Sequence, residues 1–382
     1  MVGVVGGGQL ARMMQPPAVA LGVRLRVLAE AAGMSAAQVV PDSPVGDYRN
    51  EPVVRDFASS VDVLTFDHEH VPGSILRGLE ASGVAVRPGP AALRHAQDKL
   101  VMRQRLAELG VPSPRWRTVH TWDDLGAAAE TFGGALVLKT PIGGYDGKGV
   151  MVVDVVAGAD PDPEAMSWLR RAGPAGLLAE ERVDFRRELA VLVARSPSGQ
   201  AAAWPVAETV QQNGICREVT APAPDLSGEL AVRATQIGLQ LAGKLGVVGV
   251  LAVEMFQVGP RSVVVNELAM RPHNSGHWTI DGATTSQFEQ HLRAVLDLPL
   301  GDPRPRAPWS VMVNVLGGAH PDLYRSYLHV MARDPGVKVH LYGKQVRPGR
   351  KVGHVTVTGP DLAQVQARAR HAAYFIEGVI DD

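Results

Sequence analysis

The sequence predicts a mixed α/β and α+β protein that opens with a parallel-sheet domain and passes into a larger region of long strands. Over residues 1–90, short apolar strands alternate with helical stretches, the pattern that builds a parallel sheet. From about residue 177 the pattern changes to long apolar strands with helices set between them. The length agrees, because 382 residues exceed one ordinary core and fit two or three packed domains.

Residues 2–5, 24–28 and 61–65 read as strands, 9–21 and 74–82 as helices, and 84–87 as a further strand. Residues 97–110 form a charged amphipathic helix that leaves this unit, and Pro112 and Pro114 mark a linker. Residues 135–140 and 150–156 make a hairpin around a glycine-rich loop, 141–149. Prolines at 161 and 163 break the chain before a short helix over 164–172. Beyond it, 189–194, 248–258, 262–268 and 310–316 are strands, and 229–245 and 286–296 are helices. The tail from about residue 320 mixes strands with a final helix.

Composition excludes several classes. Lys plus Arg number 38 against 39 Asp plus Glu, and the two signs are interspersed, so neither a nucleic-acid nor a membrane surface is expected. Cys216 is the only cysteine, which rules out an intramolecular disulfide and suits a reducing cytoplasm. No helper group for a nucleophilic thiol is identifiable around it. The start reads as a strand rather than as a signal peptide, and no apolar run is long enough to span a bilayer.

Gly6, Gly7 and Gly8 follow the first strand and precede a helix. Gly6-x-Gly8-x-x-Ala11 fits the dinucleotide fingerprint, and Glu30 ends the second strand about 20 residues on, where a ribose-binding acid would sit. Glycines at such a turn let a phosphate approach the N–H groups of a helix N-terminus. A site for a phosphate or other polar ligand follows. A nicotinamide dehydrogenase is the alternative from another class, and it leaves the next feature unexplained.

That feature is a carboxylate pair. The strands over 250–258 and 262–268 are joined by Gly259-Pro260-Arg261. With the turn centred between Pro260 and Arg261, Glu254 lies directly opposite Glu267, and both point to one face. Like charges so placed destabilise the sheet unless something offsets them, and a divalent cation does so. The strands are otherwise strongly apolar, which argues against two solvated surface acids. Oxygen ligands favour Mg²⁺ over zinc, and Asn266 is the neighbour on this strand.

The 139–149 stretch is the second strong motif. Ile142 stands where a Walker loop needs glycine, so this is not that loop. It still offers glycines, Lys139, Lys148 and backbone N–H groups on a hairpin, which suits a lid over phosphates. Lys139 follows apolar residues at a strand end, so its position is defined. Glu180, Glu181, Arg182 and Val183 close the next strand, a segment suited to docking a nucleotide base on backbone groups. His68 and His70, and His273 and His277, imitate zinc-ligand spacings. The second pair fails on context, because Pro272, Asn274, Ser275 and Gly276 are loop formers. Arg271, His273 and Asn274 fit better as a polar loop holding an anion.

These residues together resemble a known family. Asn266-Glu267, Arg271-Pro272-His273-Asn274-Ser275-Gly276-His277, Gly6-Gly7-Gly8-Gln9, Glu69-His70-Val71-Pro72, Gly143-Gly144-Tyr145-Asp146-Gly147-Lys148-Gly149 and Arg347-Pro348-Gly349-Arg350-Lys351 follow the order seen in 5-(carboxyamino)imidazole ribonucleotide synthases of the ATP-grasp superfamily. The likeness spans essentially the whole chain. Many relatives have Glu-Phe-Glu-His where this chain has Asp67-His68-Glu69-His70, and Glu69 keeps its register.

The resemblance implies an ATP-grasp fold: a parallel-sheet (pre-ATP-grasp) domain over 1–96, a small lid domain over 97–182 and a large C-terminal domain over 183–382. ATP would lie between the last two. It puts Lys99, Lys139, Gly143, Gly144, Tyr145, Asp146, Gly147, Lys148, Gly149, Glu180, Glu181, Arg182, Val183, Glu188, Gln211, Asn266 and Glu267 at nucleotide positions. Glu254 and Glu267 become the Mg²⁺ ligands. Gln9, Glu69, Arg271, His273, Asn274, Lys344 and Arg350 fall at the ribonucleotide and bicarbonate, with Lys344 and Arg350 on the 5′-phosphate. Arg271, His273, Asn274, Tyr145 and Asp146 are the catalytic candidates. The implied reaction carboxylates aminoimidazole ribonucleotide through carboxyphosphate, and a cytoplasmic homodimer is implied with it. A formate-dependent transformylase of the same superfamily shares the Asn-Glu-x-x-x-Arg pattern, but the tail and the His-Asn loop argue against it. A non-catalytic nucleotide-binding module is the remaining alternative.

Overall fold

The computed structural model describes residues 1–144, 148–155, 160–318 and 320–380. The N-terminal sheet is parallel, with β1 (Val2–Val5) between β2 (Leu25–Leu28) and β3 (Val63–Phe66). Val2, Val4 and Val5 are buried, as a parallel strand covered on both faces requires. Helix α1 (Gln9–Ala20) follows β1. Helix α2 (Glu51–Ser59) lies where no element was expected; Pro52 sits in its first turn, and Val54, Phe57 and Ala58 bury its apolar face. Helix α3 (Gly73–Ala81) comes after β3. The strand expected over 84–87 is a single bridge between Leu64 and Val86, because Pro88 has no N–H to continue it.

The helix expected over 97–110 is α5 (Lys99–Glu108), and α4 (Pro90–Gln97), which was not expected, precedes it. Asp98 separates them and caps α5, its Oδ1 accepting from the N–H of Leu100 at 2.9 Å and of Val101 at 3.2 Å. Met102 and Leu106 of α5 enter a core shared by the N-terminal domain and the large sheet.

The next region has its own sheet and core. β4 (Trp116–Val119), α6 (Trp122–Phe132), β5 (Ala135–Lys139), β6 (Val150–Asp154), α7 (Pro163–Ala172) and β7 (Leu177–Glu181) follow in order. The strands lie antiparallel in the order β4-β7-β5-β6. Val119, Leu125, Leu136, Leu138, Val153 and Leu169 pack between this sheet and its helices. The glycine-rich loop leaves the open end of the β5–β6 hairpin.

The last region is an antiparallel sheet of nine strands. It contains β8 (Arg187–Arg195), β9 (Ala201–Ala203), β10 (Ala207–Gln212) and β11 (Ile215–Ala221), then α8 (Gly228–Lys244), β12 (Gly249–Gly259) and β13 (Ser262–Ala269). After α9 (Thr279–Gly282) and α10 (Gln287–Val295) come β14 (Trp309–Leu316), α11 (Tyr327–Arg333), β15 (Lys338–Leu341), β16 (Lys351–Gly359) and α12 (Leu362–Glu377). The strand order is β13-β12-β8-β10-β11-β14-β16-β15, with β9 beside β8. Ile237 and Leu241 of α8 cover one end of the sheet, and Ala369, Ala372 and Ile376 of α12 cover the other.

Three seams join the regions. Leu10 and Met14 of α1 pack on Phe288, Leu292 and Val295 of α10. Buried His291 bridges Thr65 of β3 at 2.8 Å and the N–H of Val250 at 3.1 Å. Residues from opposite ends of the chain also meet: Ser35 Oγ donates to the Tyr342 carbonyl at 2.6 Å, and Gln38 Nε2 to that of Gly343 at 2.7 Å. Among the described residues no helix is long and apolar enough to cross a membrane.

Candidate active site

The site begins at the β12–β13 hairpin. Glu254 and Glu267 are register partners, as the turn predicts, because two irregularities, one just after Glu254 and one between Gln257 and Gly259, cancel. Ala190 of β8 lies opposite Glu254, so Glu188, two residues along, shares that face. Burial, then the charges of Glu267 and Glu188, push the Glu254 carboxyl up to about 8. Burial also raises Glu188, opposed by a hydrogen bond from Gln211. This acidic face fits a divalent cation. Among the described residues no group of three or more His, Cys, Asp or Glu could hold a metal unaided. A pair completed by phosphate oxygens is the Mg²⁺ habit.

Lysines from two elements reach this face. Lys139, at the end of β5, places its Nζ 2.8 Å from Glu180 Oε2 and donates to Asn266 Oδ1 at 2.9 Å. Lys99 donates to the Gly143 carbonyl at 2.8 Å and lies 3.9 Å from Glu267. Burial, its first cause, lowers the Lys99 pKa. Gly143, Gly144 and Gly149 take φ of +76°, +82° and +73°, a region open to glycine at little cost. Lys148 is exposed on this loop, and Tyr145, Asp146 and Gly147 lie outside the described residues.

The 180–183 segment divides by face. Glu180 is buried against Arg103 and Lys139. Burial opposes its ionisation, but Lys139 and then Arg103 outweigh this and lower its pKa. Glu181 turns the other way, its Oε2 2.6 Å from Arg115 Nε, so its carboxylate is directed away from the cleft. Arg182 and Val183 line a cavity of about 420 Å³ with Phe132 and Phe185.

The loop after β13 reaches back to the N-terminal domain. Arg271 Nε donates to Glu69 Oε2 at 2.8 Å. His273 Nδ1 accepts from the Ser275 N–H at 3.3 Å, leaving Nε2 as the N–H donor. Burial, then Arg271 and Lys351, push the His273 pKa down to about 3, so the ring is neutral. Asn274 is buried, and its amide N and O reach no oxygen or nitrogen partner among the described residues; Glu69 Oε1 is likewise unpaired. Buried polar groups without partners mark where a ligand's groups belong. Lys344 Nζ donates to Gln9 Oε1 at 2.5 Å, while exposed Arg350 donates to the Gln345 carbonyl at 3.3 Å.

The dinucleotide reading of the first turn is overturned. Asp67 occupies the helix N-terminus, its Oδ1 accepting from the Ala11 N–H at 2.7 Å. Glu30 accepts from the Gly7 N–H at 2.9 Å and lies 3.2 Å from His68, so it is not presented to a ribose. The zinc imitations do not assemble either: His277 is buried against Gln287, and His68 serves Glu30. Cys216 is buried and its thiol is pushed up to about 12, which agrees with an unreactive cysteine.

Sequence reasoning missed Arg103, Asp67 and Lys351. Arg103 follows Lys99 by four residues on one helix, a spacing that puts both on one face and could have revealed it. Lys351 stood in the tail motif without a role; its charge acts on both Glu254 and His273.

A hairpin with a glycine-rich loop, set beside lysines, Asn266 and paired carboxylates of an antiparallel sheet, defines an ATP-grasp ligase, an ATP-binding enzyme. Family models agree along the chain: a ribonucleotide synthetase preATP-grasp domain over residues 1–97, an ATP-grasp domain over 104–288, and a phosphoribosylaminoimidazole carboxylase C-terminal domain over 310–368. The N5-carboxyaminoimidazole ribonucleotide synthase of Mycobacterium tuberculosis is 54% identical over 380 residues, covering 98% of this chain and 87% of its own. The crystal structure of the Thermus thermophilus synthetase is 37% identical with a TM-score of 0.86, covering 100% of this chain and 99% of that one. The Aspergillus clavatus synthase in complex with ADP and 5-aminoimidazole ribonucleotide is 32% identical with a TM-score of 0.87, covering 99% and 98%. The chain belongs to the N5-carboxyaminoimidazole ribonucleotide synthase family.

Proposed function

We propose that this enzyme uses ATP and bicarbonate to carboxylate the exocyclic amine of 5-aminoimidazole ribonucleotide, a step of de novo purine synthesis. One observation carries the reading. The phosphate-handling groups, Lys99, Lys139 and the glycine loop, share a cleft with a second set, Arg271, neutral His273 and buried Asn274. The first set suits phosphoryl transfer and the second a small anion beside a polar heterocycle.

In this reading a bicarbonate oxygen attacks the γ-phosphorus and ADP leaves. Carboxyphosphate then breaks its C–O bond to give CO₂ and phosphate. The amine nitrogen attacks the CO₂ carbon and loses a proton. Lys139 and the loop N–H groups meet the charge on the transferred phosphoryl group. Arg271 holds the bicarbonate-derived anion, and His273 Nε2–H and the Asn274 amide orient it against the amine. Glu188, Gln211 and the backbone of 181–183 hold ribose and base. Gln9, Lys344 and Arg350 receive the 5′-phosphate. Glu254 and Glu267 would hold Mg²⁺, which offsets phosphate charge when bound. Tyr145 and Asp146 are proposed as catalytic residues from the family motif alone. The domain division 1–96, 97–182 and 183–382, a cytoplasmic location and a homodimer belong to the same proposal.

The test follows oxygen. ¹⁸O-bicarbonate is supplied with ATP and ribonucleotide, and phosphate is analysed by mass spectrometry before label is lost through CO₂ hydration. Labelled phosphate is expected. Unlabelled phosphate formed at the full ribonucleotide-dependent rate excludes carboxyphosphate, because its oxygen then came from water.

A further inference from the structure

Arg103 is completely buried, and an arginine is tolerated there only when its charge and donors are met. Its donors go to different places. Nε donates to Glu180 on β7, Nη1 to the Val265 carbonyl at 3.1 Å, and Nη2 to the Asn266 carbonyl at 2.7 Å. The other oxygen of Glu180 takes Lys139, and Lys139 donates on to the Asn266 side chain. The contacts form a closed circuit. Helix α5 and strand β13 supply Arg103 and Asn266, and the small sheet supplies Glu180 and Lys139.

Two consequences follow from charge and geometry. Glu180 is one anion between two cations, so the cluster keeps a net positive charge. Without Arg103, Lys139 would be the sole counter-ion of a buried carboxylate, and its charge would be spent on Glu180. The guanidinium also grips β13 by the carbonyls of Val265 and Asn266, immediately before Glu267. A planar fork can hold a carboxylate and two carbonyls in fixed directions, which one ammonium cannot.

We propose that Arg103 is a positioning residue for phosphoryl transfer: it neutralises Glu180 so that the charge of Lys139 is available to ATP, and it fixes the strand that carries Glu267. This rests on the ATP and Mg²⁺ reading above. Arg103 itself, walled in by Glu180 and β13, touches no substrate.

The test compares Arg103→Met, which keeps an unbranched stem, and Arg103→Lys with the wild type. ADP release is measured while ATP, Mg²⁺ and ribonucleotide are varied in turn, and thermal unfolding checks the fold. In Arg103→Met the ATP KM and the half-saturating Mg²⁺ should each rise about tenfold or more, as loss of a buried charge partner warrants. The ribonucleotide KM should stay within about twofold, a split that general loosening would not give. Arg103→Lys should show the same split, smaller, and carries the test alone if Arg103→Met does not fold. Unchanged ATP and Mg²⁺ dependence in a folded variant, or KM values for ATP and ribonucleotide that rise together, overturns the role. A wild type that makes no ADP in response to ribonucleotide and bicarbonate would instead sink the functional reading.

Discussion

Glu254 and Glu267 face each other across a hairpin whose remaining residues are mostly apolar, so the folded chain resists charging both at once, and Glu254 is pushed up to about 8. A residue kept at such a cost reveals itself when removed. Glu267→Gln should lower ADP formation by about a hundredfold or more, by analogy with loss of other transition-state charge stabilisers. In the absence of metal the same variant should unfold at an equal or higher temperature, because Glu254 no longer has to take up a proton against the charge opposite it. Stabilisation by added Mg²⁺ should shrink at the same time. Thermal melts with and without Mg²⁺, alongside an ADP-release assay, read all three. Near wild-type turnover at saturating Mg²⁺ would take Glu267 out of the metal site.

At the scale of elements, the β5–β6 loop depends on glycine conformation. A Cβ on Gly144 would lie 2.5 Å from the Lys148 carbonyl oxygen, and its φ of +82° is strained for any other residue. Gly144→Ala therefore costs roughly 1–3 kcal/mol locally and should distort the loop proposed to face phosphate. Raised ATP KM or reduced kcat, about tenfold, is expected with the melting temperature lowered by no more than about a few degrees. A lowered melting temperature with normal kinetics would make this glycine structural. The β5–β6 hairpin was legible in the sequence because its apolar strands end at a run of glycines. The Glu254–Glu267 register was legible because a short Gly-Pro-Arg turn leaves few ways to pair. Strands β10 and β11 were not legible. Arg217 and Glu218 sit buried in β11, where sequence alone suggests a solvated segment. Their partners are Glu377 and Arg370 of α12, more than a hundred residues on. The partners of Arg103 were hidden for the same reason, since Glu180 and Asn266 reach it from other regions. The dinucleotide fingerprint misled because a strand–glycine turn–helix admits any anion at the helix start, and here Asp67 is that anion.

Across the whole molecule, buried histidines tie regions together in their neutral form. Val250 N–H donates to His291 Nδ1, so His291 Nε2–H donates to Thr65, and a second proton would meet the Val250 N–H head-on. Burial pushes His291 down to about 3, and His277 and His354 well below their ordinary value. Unfolded, each takes up a proton near pH 6.5; folded, each resists it. The unfolded state therefore binds more protons below about pH 6.5, and stability falls as pH drops through that value towards 3. Each ring contributes up to about 1.4 kcal/mol per pH unit within its window. Urea unfolding between pH 8 and pH 5 should show a plateau above about pH 7 and a steep loss below about pH 6. His291→Gln should flatten part of that loss. Stability independent of pH over this range would show that these rings are protonated in the folded state.

The meeting of the chain's two ends sets an order of events during synthesis. Gln9 waits for Lys344, Ser35 for Tyr342 and Gln38 for Gly343, separations of 335, 307 and 305 residues. At about 5–20 residues per second on the ribosome, that wait is on the order of 15–60 seconds. The N-terminal sheet has by then been made, with Gln9 and the 35–38 turn exposed. The residues proposed to hold the nucleotide, the last of them on β13, also precede the tail. The corner proposed to grip the substrate's 5′-phosphate is thus finished well after the residues proposed to hold the nucleotide. Pulsed hydrogen exchange on stalled chains should find the Gln38 region protected only after residue 344 has left the exit tunnel; protection in shorter chains would break this order.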